Sequence, residues 1–302
     1  MRRGLKWVGI IVVAIVLLIV VSGAVMYSKA GKAFAAKVTV PEETIAIPVD
    51  SAAIARGRHV ARALAKCADC HTEDLGGQIM IDDPAFGLIA STNLTRGNGG
   101  IGAARTDADL VRAIRHGVGP EGRKLIIMPS VEYNDLSAED VGAVVAYIRS
   151  LPPVDRELPA IKPGPIFRML VATGQMPASE ADMIDHSRPA KPAPPQGVTP
   201  EYGKYLAEVS GCRGCHGPGY SGGPMPFGDP NWPPAANISP TGLKLYDEAA
   251  FIKLLRDGTR PVTNTSVNDA MPVKFTREMT DDEIKAVWAY LQTVPPKEYG
   301  GR

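Results

Sequence analysis

The apolar positions of the chain predict one long hydrophobic segment followed by shorter amphipathic helices. Residues 7–27 read WVGIIVVAIVLLIVVSGAVMY and contain no charged side chain, and a run of that length suffices for a helix to cross a hydrocarbon core. Further along, apolar residues recur at helical spacing in two stretches, which contain Val141, Val144, Val145 and Ile148, and Ile284, Val287, Trp288 and Leu291. The pattern therefore favours a mainly helical protein behind an apolar N-terminal segment.

Capping signals begin both amphipathic helices. Ser137 lies three residues before Asp140, and Thr280 lies three residues before Glu283, which is the spacing of an N-cap followed by an acidic residue. A Pro-Pro pair follows each helix, at 152–153 and 295–296, and proline cannot continue a helix. Each of the two helices thus has a predicted start and a predicted stop.

The N-terminal apolar segment predicts a single-pass membrane anchor. Arg2, Arg3 and Lys6 precede it, so we expect the N-terminus on the cytoplasmic side and the remainder exported. A cleaved signal peptide is the alternative, since residues 33–35 (Ala-Phe-Ala) resemble a cleavage site. Both interpretations predict a bacterial periplasmic location for the remainder, held at the cytoplasmic membrane if the segment is retained.

The exported part is an internal repeat. The second copy reproduces a Gly followed by Cys-x-x-Cys-His, an Asn-centred turn, an amphipathic stretch ending in Gly, a Met-Pro step and a closing helix, all in the same order. The paired segments are 57–71 and 203–216, 93–95 and 237–239, 109–117 and 250–258, 128–129 and 271–272, and 136–153 and 279–296. Two copies of one unit predict two similar lobes, whereas a solenoid would need at least three.

The repeat divides the chain into five parts. They are a transmembrane anchor (1–28), a tether (29–50), a first domain (51–153), a Pro-rich linker (154–198) and a second domain (199–302). We expect the tether to lift the domains from the bilayer. Residues 188–200 are predicted to be a semi-rigid extended spacer, and residues 167–171 to form a short helix between the domains.

Composition and charge exclude several classes of function. The 33 basic residues nearly balance the 32 acidic ones, so the clear basic excess of nucleic-acid-binding proteins is absent. Neither Gly-x-Ser-x-Gly nor His-Glu-x-x-His occurs in the sequence. The chain has few aromatic residues but 31 Gly and 27 Pro. This composition predicts long loops and a small side-chain core, so we expect the loops to close around a bound group.

The two Cys-x-x-Cys-His motifs are the strongest chemical signal. On a helix, Cys67, Cys70 and His71 share a face, and Cys212, Cys215 and His216 repeat the arrangement. Two thiols that form thioethers and an adjacent imidazole that reaches the iron are what a covalently attached haem c requires. A zinc site and a redox dithiol are the alternatives; zinc would require four clustered ligands, and a dithiol does not require the histidine. We therefore predict two covalently bound haem c groups.

Methionines at matching positions are the predicted sixth ligands. Met128 follows His71 by 57 residues and Met271 follows His216 by 55, and each precedes a proline. Met80 and Met225 each lie nine residues after a motif histidine, too close for a ligand on the opposite haem face. The remaining histidines are not repeated; they are His59, His116 and His186.

These residues together resemble tandem class I cytochromes c. The similarity extends to the cytochrome c subunits of membrane-bound alcohol and gluconate dehydrogenases, through residues 93–95, 106–110, 115–117, 128–129 and 145–153. The chain departs from those subunits in having two haem motifs where they typically carry three, and in its N-terminal anchor. The resemblance implies an all-α fold whose first and last helices cross, with Gly57 beside Tyr147 and Gly203 beside Tyr290.

Electron transfer is the function that this resemblance implies. Two irons with His and Met ligands have no open position for a substrate, so we expect a carrier rather than an enzyme. The expected partners are redox proteins, such as a dehydrogenase, a quinol-oxidising complex or a terminal oxidase. The alternative is a two-haem peroxidase-like enzyme, in which one haem would open a coordination site.

Overall fold

Residues 2–225, 231–261 and 263–301 are described by the structure, a computed structural model. Helices predominate, as predicted. In chain order they are α1 (Arg2–Ala35), α2 (Ser51–His59), α3 (Cys67–His71), α4 (Asp107–His116), α5 (Ser130–Tyr133), α6 (Ala138–Ser150), α7 (Pro165–Ala172), α8 (Pro200–Val209), α9 (Cys212–His216), α10 (Glu248–Asp257), α11 (Val273–Thr276) and α12 (Asp281–Leu291).

The predicted capping residues begin the closing helices. The Ser137 hydroxyl accepts a hydrogen bond from the Asp140 amide at the start of α6. At the start of α12, Thr280 and Glu283 form a reciprocal capping box. Both caps satisfy amides that have no partner within the first helical turn.

The first and last helices of each lobe cross at a glycine, which confirms that expectation. A Cβ atom on Gly57 in α2 would lie 1.8 Å from the Ala143 carbonyl oxygen of α6 and 3.0 Å from the Cβ of Tyr147. In the second lobe, a Cβ on Gly203 would lie 1.8 Å from the carbonyl oxygen of Ala286 and 2.9 Å from the Cβ of Tyr290. The two backbones approach so closely that only glycine fits.

The two lobes pack against each other and share a core. Their buried apolar side chains form one continuous cluster, from Val60 and Leu136 in the first lobe to Leu206 and Ile284 in the second. α2 leads into a π-helical turn, Val60–Leu64, which contacts α11 of the second lobe. The haem motifs therefore belong to one packed unit.

A small sheet was not predicted from the sequence. β1 (Ile79–Asp83) pairs antiparallel with β2 (Gly87–Ala90), and β3 (Lys162–Pro163) from the linker adds to the other edge of β2. The Asp83 carboxylate accepts hydrogen bonds from the amides of Ala85 and Phe86 and so closes the hairpin turn. β1 is exposed at nearly every position, so it lacks the alternation that identifies a strand in a sequence.

The helix α1 extends beyond the apolar run. Within its segment Lys6–Ala35, the most apolar 18-residue window has a mean hydropathy of 3.2, and no part of that window is buried. Within the described residues it is the one helix long and apolar enough to cross a membrane.

The segment that follows α1 packs along the first lobe instead of forming a free tether. The Val38 amide donates to the Gly122 carbonyl at 2.9 Å. Ile45 and Ile47 pack against the shared core, and a Cβ on Gly142 of α6 would lie 2.3 Å from the Ala46 carbonyl oxygen. These apolar residues bind the segment to the lobe because burial removes them from water.

The predicted linker helix exists but lies elsewhere than expected. α7 spans Pro165–Ala172 and packs on α1, not between the lobes. The rest of the linker also contacts the first lobe, since the Ala138 amide donates to the Lys191 carbonyl and the Ala193 amide to the Glu139 carboxylate, both at 2.9 Å.

Candidate haem-binding sites

Both Cys-x-x-Cys-His motifs form a single helical turn with the same backbone frame. A left-handed residue precedes each turn, Lys66 at φ 51° and Gly211 at φ 67°. Thr72 and Gly217 follow the turns with φ 68° and ψ 168°, and φ 79° and ψ 164°. The sequence repeat is therefore also a repeat of local geometry, even where a non-glycine residue must adopt positive φ.

The four motif cysteines form no disulfide with one another. Burial raises the pKa of Cys67 to about 12 and that of Cys212 to about 11, and both side chains pack against the core. Burial also raises the pKa of Cys70 to about 11. An apolar setting suits a thioether sulfur, which carries no charge.

Hydrogen bonds orient the two motif imidazoles in the same way. His71 Nδ1 lies 2.7 Å from the carbonyl oxygen of Thr92, and His216 Nδ1 lies 2.7 Å from that of Ala236. A carbonyl only accepts, so Nδ1 carries the proton and donates, and the lone pair is on Nε2. Burial lowers the pKa of His71 and favours the neutral ring. This tautomer is the one that a metal-ligating histidine needs.

The two Met-Pro steps also have matching backbones. Pro129 has φ −78° and ψ 59°, and Pro272 has φ −78° and ψ 55°. The Met128 carbonyl accepts from the Ser130 amide at 2.8 Å, and the Met271 carbonyl accepts from the Val273 amide at 2.7 Å. Both methionines are partly buried against the core. The repeat thus places Met128 and Met271 at equivalent points of the two lobes.

Neither rival methionine shares that setting. Met80 lies on β1, and 37% of its surface is exposed. Met225 is partly buried, and the proline after it lies outside the described residues. Among the described residues no group of three or more His, Cys, Asp or Glu lies close enough to hold a metal ion.

Each of the three other histidines has a hydrogen-bonding partner within the protein. His116 and His186 face each other through their Nδ1 atoms at 3.1 Å. Burial, together with the neighbouring Arg115 charge, lowers the pKa of His116 to about 4. His59 Nε2 lies 2.8 Å from the Glu283 carboxylate. These partners account for the three rings without iron.

Two contacts between equivalent positions of the repeat join the lobes, one in each direction. His59 of the first lobe pairs with Glu283 of the second, and Tyr205 of the second donates to Asp140 of the first at 2.6 Å. His59 and Tyr205 are equivalent in the repeat, as are Asp140 and Glu283. Arg56 binds both carboxylates. The lobes therefore meet as an approximate two-fold pair, whose reciprocal contacts resemble those of an isologous dimer.

The same pairing brings the two haem motifs near each other. The Lys66 ammonium, directly before Cys67, donates to the carbonyl of Ser210, two residues before Cys212. Lys274 of α11 pairs with Asp69 inside the first motif at 2.6 Å. Sequence reasoning did not find these contacts, because a lone Lys or Asp on a surface carries no pairing signal.

A buried carboxylate lies against the second motif. The Glu132 carboxylate occupies the space that side chains on Gly211 and Gly214 would need. Burial raises its pKa to about 7, although the nearby Lys66 charge acts in the opposite direction. The glycines of the second motif thus accommodate a group from the first lobe.

Relative to wild type, the variant Glu132→Gln should raise the free energy of unfolding of the haem-loaded protein more at about pH 8 than at about pH 5. The folded chain keeps the Glu132 proton up to about pH 7, where the unfolded chain has already lost it. The free energy of unfolding of the wild-type protein therefore falls as pH rises from the ordinary carboxyl pKa to about 7. The glutamine side chain does not titrate, so the variant lacks this dependence. Urea unfolding at both pH values measures it, with the exposed Glu121→Gln as control. An equal change at both pH values would contradict the expectation.

Comparison with known proteins agrees with this geometry. Residues 200–295 match the family model described as cytochrome c, and residues 52–148 match the one described as cytochrome c oxidase, cbb3-type, subunit III. The two lobes are therefore cytochrome c domains, and the chain is a tandem cytochrome c behind one N-terminal apolar helix.

The chain is similar to named cytochrome subunits. It is 30% identical to the cytochrome c subunit of the quinone alcohol dehydrogenase of Gluconacetobacter polyoxogenes, over 82% of this chain and 57% of that protein. It is 27% identical to the fructose dehydrogenase cytochrome subunit of Gluconobacter japonicus, over 87% and 57%. A diheme cytochrome c-type protein of Cereibacter sphaeroides is 28% identical over 77% of this chain and 83% of its own length. The chain thus spans little more than half the length of the dehydrogenase subunits.

Proposed function

We propose that this protein is a di-haem c-type cytochrome that carries single electrons on the periplasmic face of the membrane. Its donor would be a dehydrogenase or a quinol-oxidising complex, and its acceptor a terminal acceptor such as a terminal oxidase. The main support for the proposal is that both Cys-x-x-Cys-His motifs have the same geometry: in each, the histidine Nδ1 donates its proton to a backbone carbonyl at 2.7 Å. Relatives that are subunits of dehydrogenases support the choice of donor.

Each residue of the site would have one task. Cys67 and Cys70 would hold one haem and Cys212 and Cys215 the other, with the histidine Nε2 atoms as proximal ligands. Met128 and Met271 would be the distal ligands, and this coordination raises the reduction potential. Bound haem supplies a reversible one-electron iron couple. The chain adds orientation and a nearly neutral surface, with 11 basic and 12 acidic residues in each of 51–153 and 199–302.

The haem content tests the proposal directly. The purified full-length protein should exceed its apo mass by two haems, and acid–acetone should leave both attached because thioethers survive acid. The paired variants Cys67→Ala/Cys70→Ala and Cys212→Ala/Cys215→Ala should each retain one haem. A wild-type protein with a single haem, or with haem that acid–acetone extracts, would refute it.

Carbon monoxide separates the carrier from the peroxidase-like alternative. Two irons with His and Met ligands should bind carbon monoxide slowly and incompletely when reduced, since a protein ligand occupies each position. Rapid stoichiometric binding at one haem would favour the enzyme.

Location and partner need independent measurements. Alkaline phosphatase fused after the last residue should be active, because that enzyme matures only in the periplasm. A dehydrogenase should co-purify from membranes solubilised in mild detergent. An inactive fusion would contradict the orientation, and co-purification without any oxidoreductase would contradict the proposed donor.

A further inference from the structure

The linker helix α7 is attached to the end of the apolar helix α1. Phe167 is 1% exposed, and its ring lies 5.4 Å from that of Phe34 in α1 and 4.9 Å from that of Phe86 beside β2. Ala30 of α1 is completely buried in the same cluster. Aromatic packing of this kind holds two elements in a defined orientation, so α7 stays beside the point where α1 leaves its apolar run.

A cavity of about 410 Å³ opens between α1 and the linker. It is lined by Tyr27, Ile161, Lys162, Pro163, Pro165 and Arg168. The Arg168 guanidinium lies 4.3 Å from the centre of the Tyr27 ring, and its Nε donates to the Pro163 carbonyl at 3.1 Å. Tyr27 ends the uncharged run, at the position where tyrosines mark a membrane–water interface. The cavity therefore lies at headgroup level if α1 spans the bilayer.

α7 exposes apolar side chains beside this cavity. Ile166 and Met169, three residues apart, are each 44% exposed, while Phe167 and Val171 cover α1 from the other side of the helix. A soluble helix would normally expose polar groups on its free side. An exposed apolar face next to the end of a membrane-spanning helix is continuous with the lipid-facing surface.

The charge of the region fits an anionic membrane surface. Residues 28–41 and 158–179 together contain five basic residues and no acidic one, while Asp82 and Asp83 of β1 are separated from Lys162 by β2. Lys162 is exposed at the cavity, and a guanidinium such as that of Arg168 binds phosphate through two parallel hydrogen bonds.

We propose that α7 and the cavity form a second membrane contact, in which Lys162 and Arg168 bind the phosphate of an anionic phospholipid while Ile166 and Met169 enter the interfacial layer. The contact holds the first lobe at a fixed orientation to the bilayer. It is independent of the haem chemistry proposed above, so either proposal can fail alone.

Phospholipid binding by the full-length, haem-loaded protein tests the charged part. The delipidated protein in detergent is titrated with phosphatidylglycerol or phosphatidylcholine, and bound lipid is counted by native mass spectrometry. Lys162→Gln/Arg168→Gln should weaken phosphatidylglycerol binding by about 30-fold, because each basic residue near an anionic surface contributes about a fivefold factor and the two factors multiply. Phosphatidylcholine binding should not change.

Three controls decide the interpretation. Lys244→Gln/Arg277→Gln removes two exposed charges from the second lobe and should leave binding unchanged. Lys162→Arg keeps both charges and leaves the Arg168 guanidinium in place, so it should retain binding, whereas a general loss of folding on substitution at residue 162 would abolish it. Equal wild-type affinity for both lipids, or phosphatidylglycerol binding that Lys162→Gln/Arg168→Gln leaves unchanged, would overturn the proposal.

Methionine footprinting tests the apolar part in a bilayer. Met169 and Met183 both lie in the linker, at 44% and 64% exposure. A brief hydroxyl-radical pulse on the protein in phosphatidylglycerol nanodiscs should modify Met169 about tenfold more slowly than Met183, because acyl chains would cover it. Rates in proportion to the two exposures would show that α7 faces water and would overturn the membrane contact.

Discussion

Replacing Met128 or Met271 with histidine should lower the reduction potential of one haem and leave both haems attached. Attachment depends on the cysteines, whereas the proposed distal ligand sets the relative stability of ferric and ferrous iron. A nitrogen donor stabilises ferric iron better than a thioether does, so we expect a fall on the order of 0.2 V, within the range of about 0.8 V that axial ligands span.

Redox titration and absorption spectra measure this effect. The charge-transfer band of ferric haem with a thioether ligand should halve in each single variant and vanish in the double variant. Met80→Leu and Met225→Leu are the matched controls, because leucine conserves volume at a packing position. If Met225→Leu removes half of the band and Met271→Leu removes none, the assignment in the second lobe is wrong.

Replacing Gly57 or Gly203 with alanine should cost each lobe about 3 kcal/mol or more of stability. The added Cβ would lie 1.8 Å from a carbonyl oxygen of the opposing helix in both lobes. The carbonyl oxygen is part of one helix backbone, and the added Cβ is bonded directly to the other. The clash can therefore be relieved only by separating the two helices. The motif that follows each first helix would move with it.

Denaturant unfolding followed by circular dichroism and haem absorbance measures this loss. Gly57→Ala should destabilise the first lobe and Gly203→Ala the second. Gly23→Ala in α1 is the control, since nothing lies within 4 Å of the added atom. Variants as stable as wild type would mean that the helices do not cross as closely as the structure shows.

Local features of this fold were predictable because they depend on neighbours in sequence. The caps at Ser137 and Thr280 require only a side chain three residues before an acidic one, and the structure contains both. The two motif turns require only cysteines and a histidine at fixed spacing. The glycine crossings were inferred from family resemblance. Because the chain is a repeat, each of these features could be identified in two places.

Contacts between distant segments escaped the same reasoning. The strand β3 contributes two residues to β2, too few for any periodicity. A short helix at residues 167–171 was expected between the lobes, but the sequence pattern could not say that α7 packs on α1 instead. Residues 36–50 contain apolar residues at 38, 40, 45, 47 and 49, but that pattern does not say which surface they pack against.

The sequence by itself determined the groups on which the proposed chemistry depends, namely two Cys-x-x-Cys-His motifs, two Met-Pro steps and an apolar N-terminal helix, because each of them is defined by residue type and local spacing. The tertiary structure alone decided how those parts face each other. Lys66 reaches Ser210 and Tyr205 reaches Asp140 across the lobe interface, and α7 lies on α1. Such contacts follow from shape and burial between segments far apart in the chain, where no short-range pattern selects the partner.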